Sequence, residues 1–246
     1  MYRAIRTSTL AFALTLTLPA FPALAGKVTF PSGDGLEITA DHKTAKSDTT
    51  IVLFHQAGSS RGEYKTIAPR LNKLGYNTLS VDLRSGSAFD GVKNETAARG
   101  AQAGKGSSFL DAKPDMLAAI SYANKLAGTN KVVIWGSSYS AALSLVIAGE
   151  GKAKIKGALA FSPGEYLAGV SVESAARGIS IPTYMSSARS EVRQWQPFLK
   201  AASNIKAVGF EPQGGGRHGS SALIEGRSSN ADEYWQSVEA FLKKHF

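Results

Sequence analysis

Along this chain, short runs that are almost wholly apolar alternate with stretches in which apolar residues recur every three or four positions. The runs cover residues 50–54, 77–81, 131–135, 157–161, 183–186 and 206–210. Short, almost wholly apolar runs are how strands read when both faces of their sheet are covered. Between the runs, Tyr64, Ile67, Ala68 and Leu71 share one helical face that ends at Gly75, and Met116, Ala119, Ile120, Tyr122 and Ala123 share another. Further helices are predicted directly after Gly136, over 192–202 and over 231–246, the last capped by Ser229 or Asn230 with Asp232 and Glu233 in its first turn. Alternating strands and helices predict βαβ units, hence an α/β fold with a mainly parallel central sheet and helices on both faces. Upstream, 27–30 and 36–40 flank Pro-Ser-Gly-Asp-Gly and predict an N-terminal β-hairpin. The Gly/Ser/Ala-rich segment 85–108 shows no period, and a loop of that length in a small domain reads as a flap over the top of the sheet.

The first 25 residues stand apart. Arg3 and Arg6, an apolar stretch at 10–18, Pro19 and the small-residue site Ala23-Leu24-Ala25 make up the three regions of a secretory signal. The stretch is too short to span a bilayer, which takes roughly 20 residues. The expectation is therefore an exported protein, periplasmic or secreted, with no stable membrane anchor after cleavage and one domain over 26–246. The chain has 28 Lys and Arg against 19 Asp and Glu, but its basic groups are short and scattered, without the clustered footprint that nucleic-acid binding needs. The absence of cysteine removes disulfides, thiolate metal sites and a cysteine nucleophile.

Candidate chemistry centres on Val132-Val133-Ile134-Trp135-Gly136-Ser137-Ser138-Tyr139-Ser140. An apolar strand runs into a small-x-Ser-x-small pentapeptide and then into a helix, the context of a nucleophile elbow with Ser138 at its tip. The turn is tight, so the residues two before and two after must be small, as Gly136 and Ser140 are; Ser140 stands where a second Gly is more usual. A serine hydroxyl near neutral pH needs a proton acceptor. Of the four histidines, His42 lies in a polar turn, His55 follows the first central strand, His245 is penultimate, and His218 lies in a Gly-rich loop after the last strand.

With these segments in view, nearly the whole of 26–246 resembles the α/β-hydrolase family, and specifically its small dienelactone-hydrolase-like and esterase-like members. The resemblance is carried by Leu53-Phe54-His55-Gln56-Ala57-Gly58-Ser59-Ser60, Val81-Asp82-Leu83-Arg84-Ser85-Gly86, the 136–140 elbow and Arg217-His218-Gly219. It implies the chain order Ser, acid, His. His55 then falls at the oxyanion loop and His218 at the catalytic base. No aspartate lies between Ser138 and His218, so the acid is one of Glu150, Glu165, Glu173, Glu191 and Glu211. Glu191 leads, because it closes the strand-end loop where the family carries its acid, usually an Asp; Glu165 is the fallback. The oxyanion donors implied are the backbone amides of Tyr139 and of Ala57, with Gln56 the alternative. Gln56 replaces the family's usual Gly, and its side chain either narrows the acyl side of the pocket or points outward.

No phosphate loop, dinucleotide fingerprint or metal-ligand spacing is found: Ala103-Gly104-Lys105-Gly106-Ser107 has Arg99 where a phosphate loop needs Gly. The expectation is a cofactor-free and metal-free serine hydrolase that cleaves carboxylic esters of small molecules through an acyl-enzyme. Two other readings use the same fold: a non-catalytic binding protein, and an acyltransferase, thioesterase or peptidase that keeps the serine and changes the bond.

Overall fold

The computed structural model describes residues 26–202 and 206–246, so the leader expected at 1–25 lies outside the described residues. Eight strands, β1 (Gly26–Pro31), β2 (Glu37–Lys43), β3 (Thr49–Phe54), β4 (Asn77–Val81), β5 (Lys131–Ser137), β6 (Gly157–Phe161), β7 (Thr183–Ser186) and β8 (Ala207–Phe210), form one sheet. Its order is β1-β2-β4-β3-β5-β6-β7-β8. The hairpin partners β1 and β2 are antiparallel, β2 joins β4 antiparallel, and every later pairing is parallel. This is the mainly parallel α/β sheet with an N-terminal hairpin that the apolar pattern predicts.

Seven helices occur among the described residues: α1 (Ile67–Lys73), α2 (Glu95–Gln102), α3 (Lys113–Lys125), α4 (Tyr139–Glu150), α5 (Val172–Ala176), α6 (Val192–Ala201) and α7 (Ala231–His245). Successive strand side chains point to opposite faces, and here both faces are apolar. Ile51, Leu53, Val133, Trp135, Leu159 and Phe161 pack with α1 and α7, whereas Val52, Phe54, Val132, Ile134, Ala158 and Ala160 pack with α3 to α6. Two cores on one sheet explain why β3, β5 and β6 read as nearly continuous apolar runs, while β4 and β7 also carry the buried polar residues Asn77, Thr78, Ser80, Thr183 and Ser186. Helix α4 is buried at every residue from Tyr139 to Ala148, so it is apolar all round and shows no amphipathic period.

Segment 85–108, read from the sequence as an aperiodic loop, carries the helix α2 at its centre. Only Thr96 and Gly100 of that helix are buried, so it presents no apolar stripe to read. Asn94 caps it, its Oδ1 accepting the Ala97 amide at 2.8 Å.

The strands end in register. Phe54 lies opposite Val81 and Gly136, Ser137 opposite Phe161, Phe161 opposite Ser186, and Ser186 opposite Phe210. Residues that follow these positions therefore share the carboxyl edge of the sheet, where open α/β sheets bind their ligands.

Candidate active site

Ser138 sits at φ 60°, ψ −121° between β5 and α4. L-residues rarely populate that region, and holding one there costs on the order of 1–3 kcal/mol. Its surroundings impose the conformation. The Ser138 amide continues the sheet ladder, donating to the Phe161 carbonyl at 2.8 Å. A Cβ on Gly136 would lie 2.4 Å from the Ser140 carbonyl oxygen, so the elbow requires glycine there. Ser140 has a role that glycine would not fill: its buried hydroxyl accepts the Ser137 amide at 2.8 Å and lies 2.7 Å from the Phe54 carbonyl, joining the elbow to β3. The Ser138 hydroxyl is partly exposed and has no hydrogen-bond partner among the described residues.

His218 and Glu191 meet. His218 Nδ1 lies 2.7 Å from Glu191 Oε1, with the histidine side chain 43% exposed and the glutamate 20%. The bond to Glu191 raises the His218 pKa above its ordinary value, partial burial opposes this, and the Glu191 and Glu63 charges add to the rise. Burial alone would push the Glu191 carboxyl up, but hydrogen bonds from His218 and Ser162 outweigh it and hold the group below its usual range. The second carboxylate oxygen accepts the Ser162 hydroxyl at 2.6 Å, and that hydroxyl accepts the Gly219 amide at 2.8 Å. Ser162, the residue after β6, is held at φ 54°.

The turn after β3 is braced from behind. Buried His55 accepts the Leu83 amide at Nε2 (2.9 Å), which leaves Nδ1–H to donate to the Gln56 carbonyl (2.7 Å). Burial lowers its pKa, so it stays a neutral brace. The Gln56 amide is occupied, donating to Glu63 Oε2 at 2.8 Å. The Ala57 amide has no partner among the described residues, and Tyr139 opens α4, where the first amides lack intrahelical acceptors. The two amides expected as oxyanion donors, Ala57 and Tyr139, are thus both left available. A Cβ on Gly219, which has φ +65°, would fall 2.9 Å from Gln56 Oε1 and 2.4 Å from Ser137 Oγ. The Gln56 side chain therefore extends toward the His218 loop and not outward.

Glu165 is engaged elsewhere. It accepts the Val172 and Glu173 amides at 2.8 and 2.9 Å, at the start of α5. Among the described residues no group of three His, Asp or Glu could hold a metal, and no helix is long and apolar enough to cross a membrane. Sequence reasoning missed Glu63, Ser137 and Ser162. A carboxylate immediately before the core-facing Tyr64 was the one available signal for Glu63.

The family's sequence profile, the dienelactone hydrolase family, matches residues 37–192, more than half of the chain. The chain belongs to the dienelactone hydrolase family. That membership makes it an ester-cleaving hydrolase. Solved structures agree on the fold. An esterase of Pyrococcus furiosus superposes with a TM-score of 0.71 at 18% identity, over 89% of this chain and 90% of that one. A dienelactone hydrolase of Anabaena variabilis gives 0.68 at 15% identity, over 89% and 97%. An esterase of Butyrivibrio proteoclasticus with ferulic acid bound gives 0.65 at 15% identity, over 86% and 96%. No protein of curated function matches the sequence.

Proposed function

We propose that this hydrolase is exported and cleaves carboxylic esters of small molecules through an acyl-enzyme on Ser138, with His218 as base and Glu191 as its orienting acid. The observation that carries the reading is the contrast between engaged and available groups at the strand ends. Glu191 and Ser162 fix the His218 loop, whereas the strained Ser138 hydroxyl is partly exposed and has no partner among the described residues. With Nδ1 turned to Glu191, Nε2 of His218 is the nitrogen available to take the Ser138 proton. Among the described residues no hydrogen bond joins Ser138 to His218. Catalytic hydrogen bonds of this kind are often long in the free enzyme and tighten in the substrate complex.

In the reaction, Ser138 Oγ attacks the ester carbonyl while His218 Nε2 takes its proton, and Glu191 stabilises the imidazolium that forms. The oxyanion accepts hydrogen bonds from the Ala57 and Tyr139 amides. Collapse expels the alcohol with the proton from His218, and water repeats the sequence on the acyl-Ser138. Labelling with an organophosphonate and comparison with Ser138→Ala on a short p-nitrophenyl ester test the proposal. Modification at Ser138 and loss of activity with circular dichroism unchanged support it; full activity in the variant refutes it. Processing to an N-terminus at Gly26 in the periplasm or medium of a bacterial host tests the export.

A further inference from the structure

A second carboxylate lies behind the elbow. Glu63 belongs to a short 3-10 turn, Arg61–Tyr64, and is 1% exposed. Its Oε2 accepts the Gln56 amide at 2.8 Å and its Oε1 accepts the Ser137 hydroxyl at 2.6 Å. Ser137 Oγ in turn accepts the Ser220 amide at 2.8 Å. The Glu191 side repeats this arrangement one residue earlier, with Gly219 N–H to Ser162 and the Ser162 hydroxyl to the carboxylate. Two consecutive amides after His218 are thus each held by a serine hydroxyl whose proton goes to a carboxylate. One carboxylate also holds His218, and the other also holds the turn after β3.

We infer that Glu63 is a positioning residue, which locks the Gln56–Ala57 turn and the His218 loop to the elbow so that oxyanion donor and base keep a fixed relation to Ser138. The inference rests on the esterase reading above. An ionised carboxylate is acceptor-only, and this one meets two donors from two different loops. Its position is costly: burial pushes the carboxyl up to about 7, although Ser137, the Gln56 amide and the His218 charge pull it down. A buried acid that only filled space would be matched or improved by a neutral side chain of the same volume. Glutamine there supplies one acceptor and one donor. Its NH2 would face either the Gln56 N–H, donor against donor, or Ser137 Oγ, whose proton then loses its carboxylate acceptor, so one of the two links is weakened in either orientation. Ala57 is the next residue after Gln56, and a misplacement of about 1 Å at a reacting centre costs up to about 10²-fold.

The test compares Glu63→Gln, Ser137→Ala and Ser138→Ala with the wild type. It measures kcat and KM on a short p-nitrophenyl ester, the inhibition constant of a trifluoromethyl ketone that forms a tetrahedral adduct on serine, and the melting temperature. Glu63→Gln is expected to lower kcat about 10- to 100-fold and weaken the ketone by a similar factor, with KM within about threefold and melting not lowered. A residue serving stability alone would leave the ketone unmoved or lose it in step with melting. Wild-type kcat and ketone affinity in Glu63→Gln overturn the inference. Should that variant not fold, Ser137→Ala, which cuts only the link to the His218 loop, is expected to lose about tenfold in kcat; an unchanged value overturns it equally. Activity surviving in Ser138→Ala overturns the esterase reading and this inference together, whereas a dead Ser138→Ala beside a fully active Glu63→Gln refutes this inference alone.

Discussion

Replacing Glu191 by glutamine removes the charge from the acid and leaves its shape. Two amide orientations are possible, and both are costly. With the amide oxygen toward His218, Nδ1–H keeps its acceptor, but the NH2 group then faces Ser162, whose hydroxyl proton loses the carboxylate oxygen that accepts it. With the NH2 toward His218, Nδ1 must become the acceptor and Nε2 carries the proton, so the ring cannot act as base. Removing the acid's charge in a well-buried serine triad costs about 10⁴ in turnover. Here His218 is 43% exposed and Glu191 20%, so solvent screens part of the interaction. We expect a loss of about 10²- to 10³-fold, or about 2.7 to 4.1 kcal/mol at 1.36 kcal/mol per decade. The pH profile supplies an independent sign. His218 must be neutral to act, and Glu191 is the largest cause of its raised pKa, so the wild-type rate rises through a limb above 6.5, the ordinary histidine value. Glu191→Gln moves that limb to lower pH. Steady-state kinetics from about pH 5 to 9 measure both quantities. Turnover within threefold of wild type, or an acid limb that does not move, would refute the assignment.

Two further outcomes follow from neighbouring contacts. Glu165→Gln removes an acceptor for the start of α5, so stability is expected to fall by about 1 kcal/mol with turnover unchanged; a hundredfold loss of turnover would move the acid to the earlier strand end. Asn94→Ala removes the cap of α2 and a buried NH2 that donates to the Leu83 and Ser59 carbonyls. A cost of about 2 to 3 kcal/mol should lower the melting temperature by roughly 4–12 °C, and an unchanged transition would show that segment 85–108 is not held by this residue.

The parts of the fold that a sequence shows most plainly are those with a single dominant cause. The ranges 77–81, 157–161 and 183–186 coincide with β4, β6 and β7; β6 is apolar throughout, whereas β4 and β7 interleave buried Asn77, Thr78, Ser80, Thr183 and Ser186 with their apolar residues. Helices α2 and α5 were not legible, since eight and five residues with two buried positions each leave no stripe. At the site, Ser138 was visible through local geometry alone, as a strand, a tight turn and a helix. His218 and Glu191 were visible through family resemblance and residue order. Glu63, Ser137 and Ser162 were hidden because their roles arise across long separations, 74 residues from Ser137 to Glu63 and 57 from Ser162 to Gly219. A serine carries no periodic signal, and only the folded sheet reveals which hydroxyl meets which amide.

The aligned strand ends explain why this chemistry collects at one edge. Where β3, β4, β5, β6 and β7 stop, the next residues are His55, Asp82, Ser138, Ser162 and Ser187. Backbone amides of the departing loops lose their ladder partners at that row, so a polar side chain must replace them. Asp82 accepts the Arg61 and Glu95 amides, His55 the Leu83 amide and Ser162 the Gly219 amide. Ser187 accepts the Trp195 indole N–H at 2.7 Å. These four are buried and committed to holding loops. Ser138 has the same position in the row, and the ladder bond from its own amide enforces the same kind of strained φ that Ser162 adopts. It differs in that its hydroxyl is partly exposed and unengaged. The hydrogen-bonding need at a strand end favours a polar residue at every position of the row, and Ser138, the proposed nucleophile, is the member that the surrounding loops leave free.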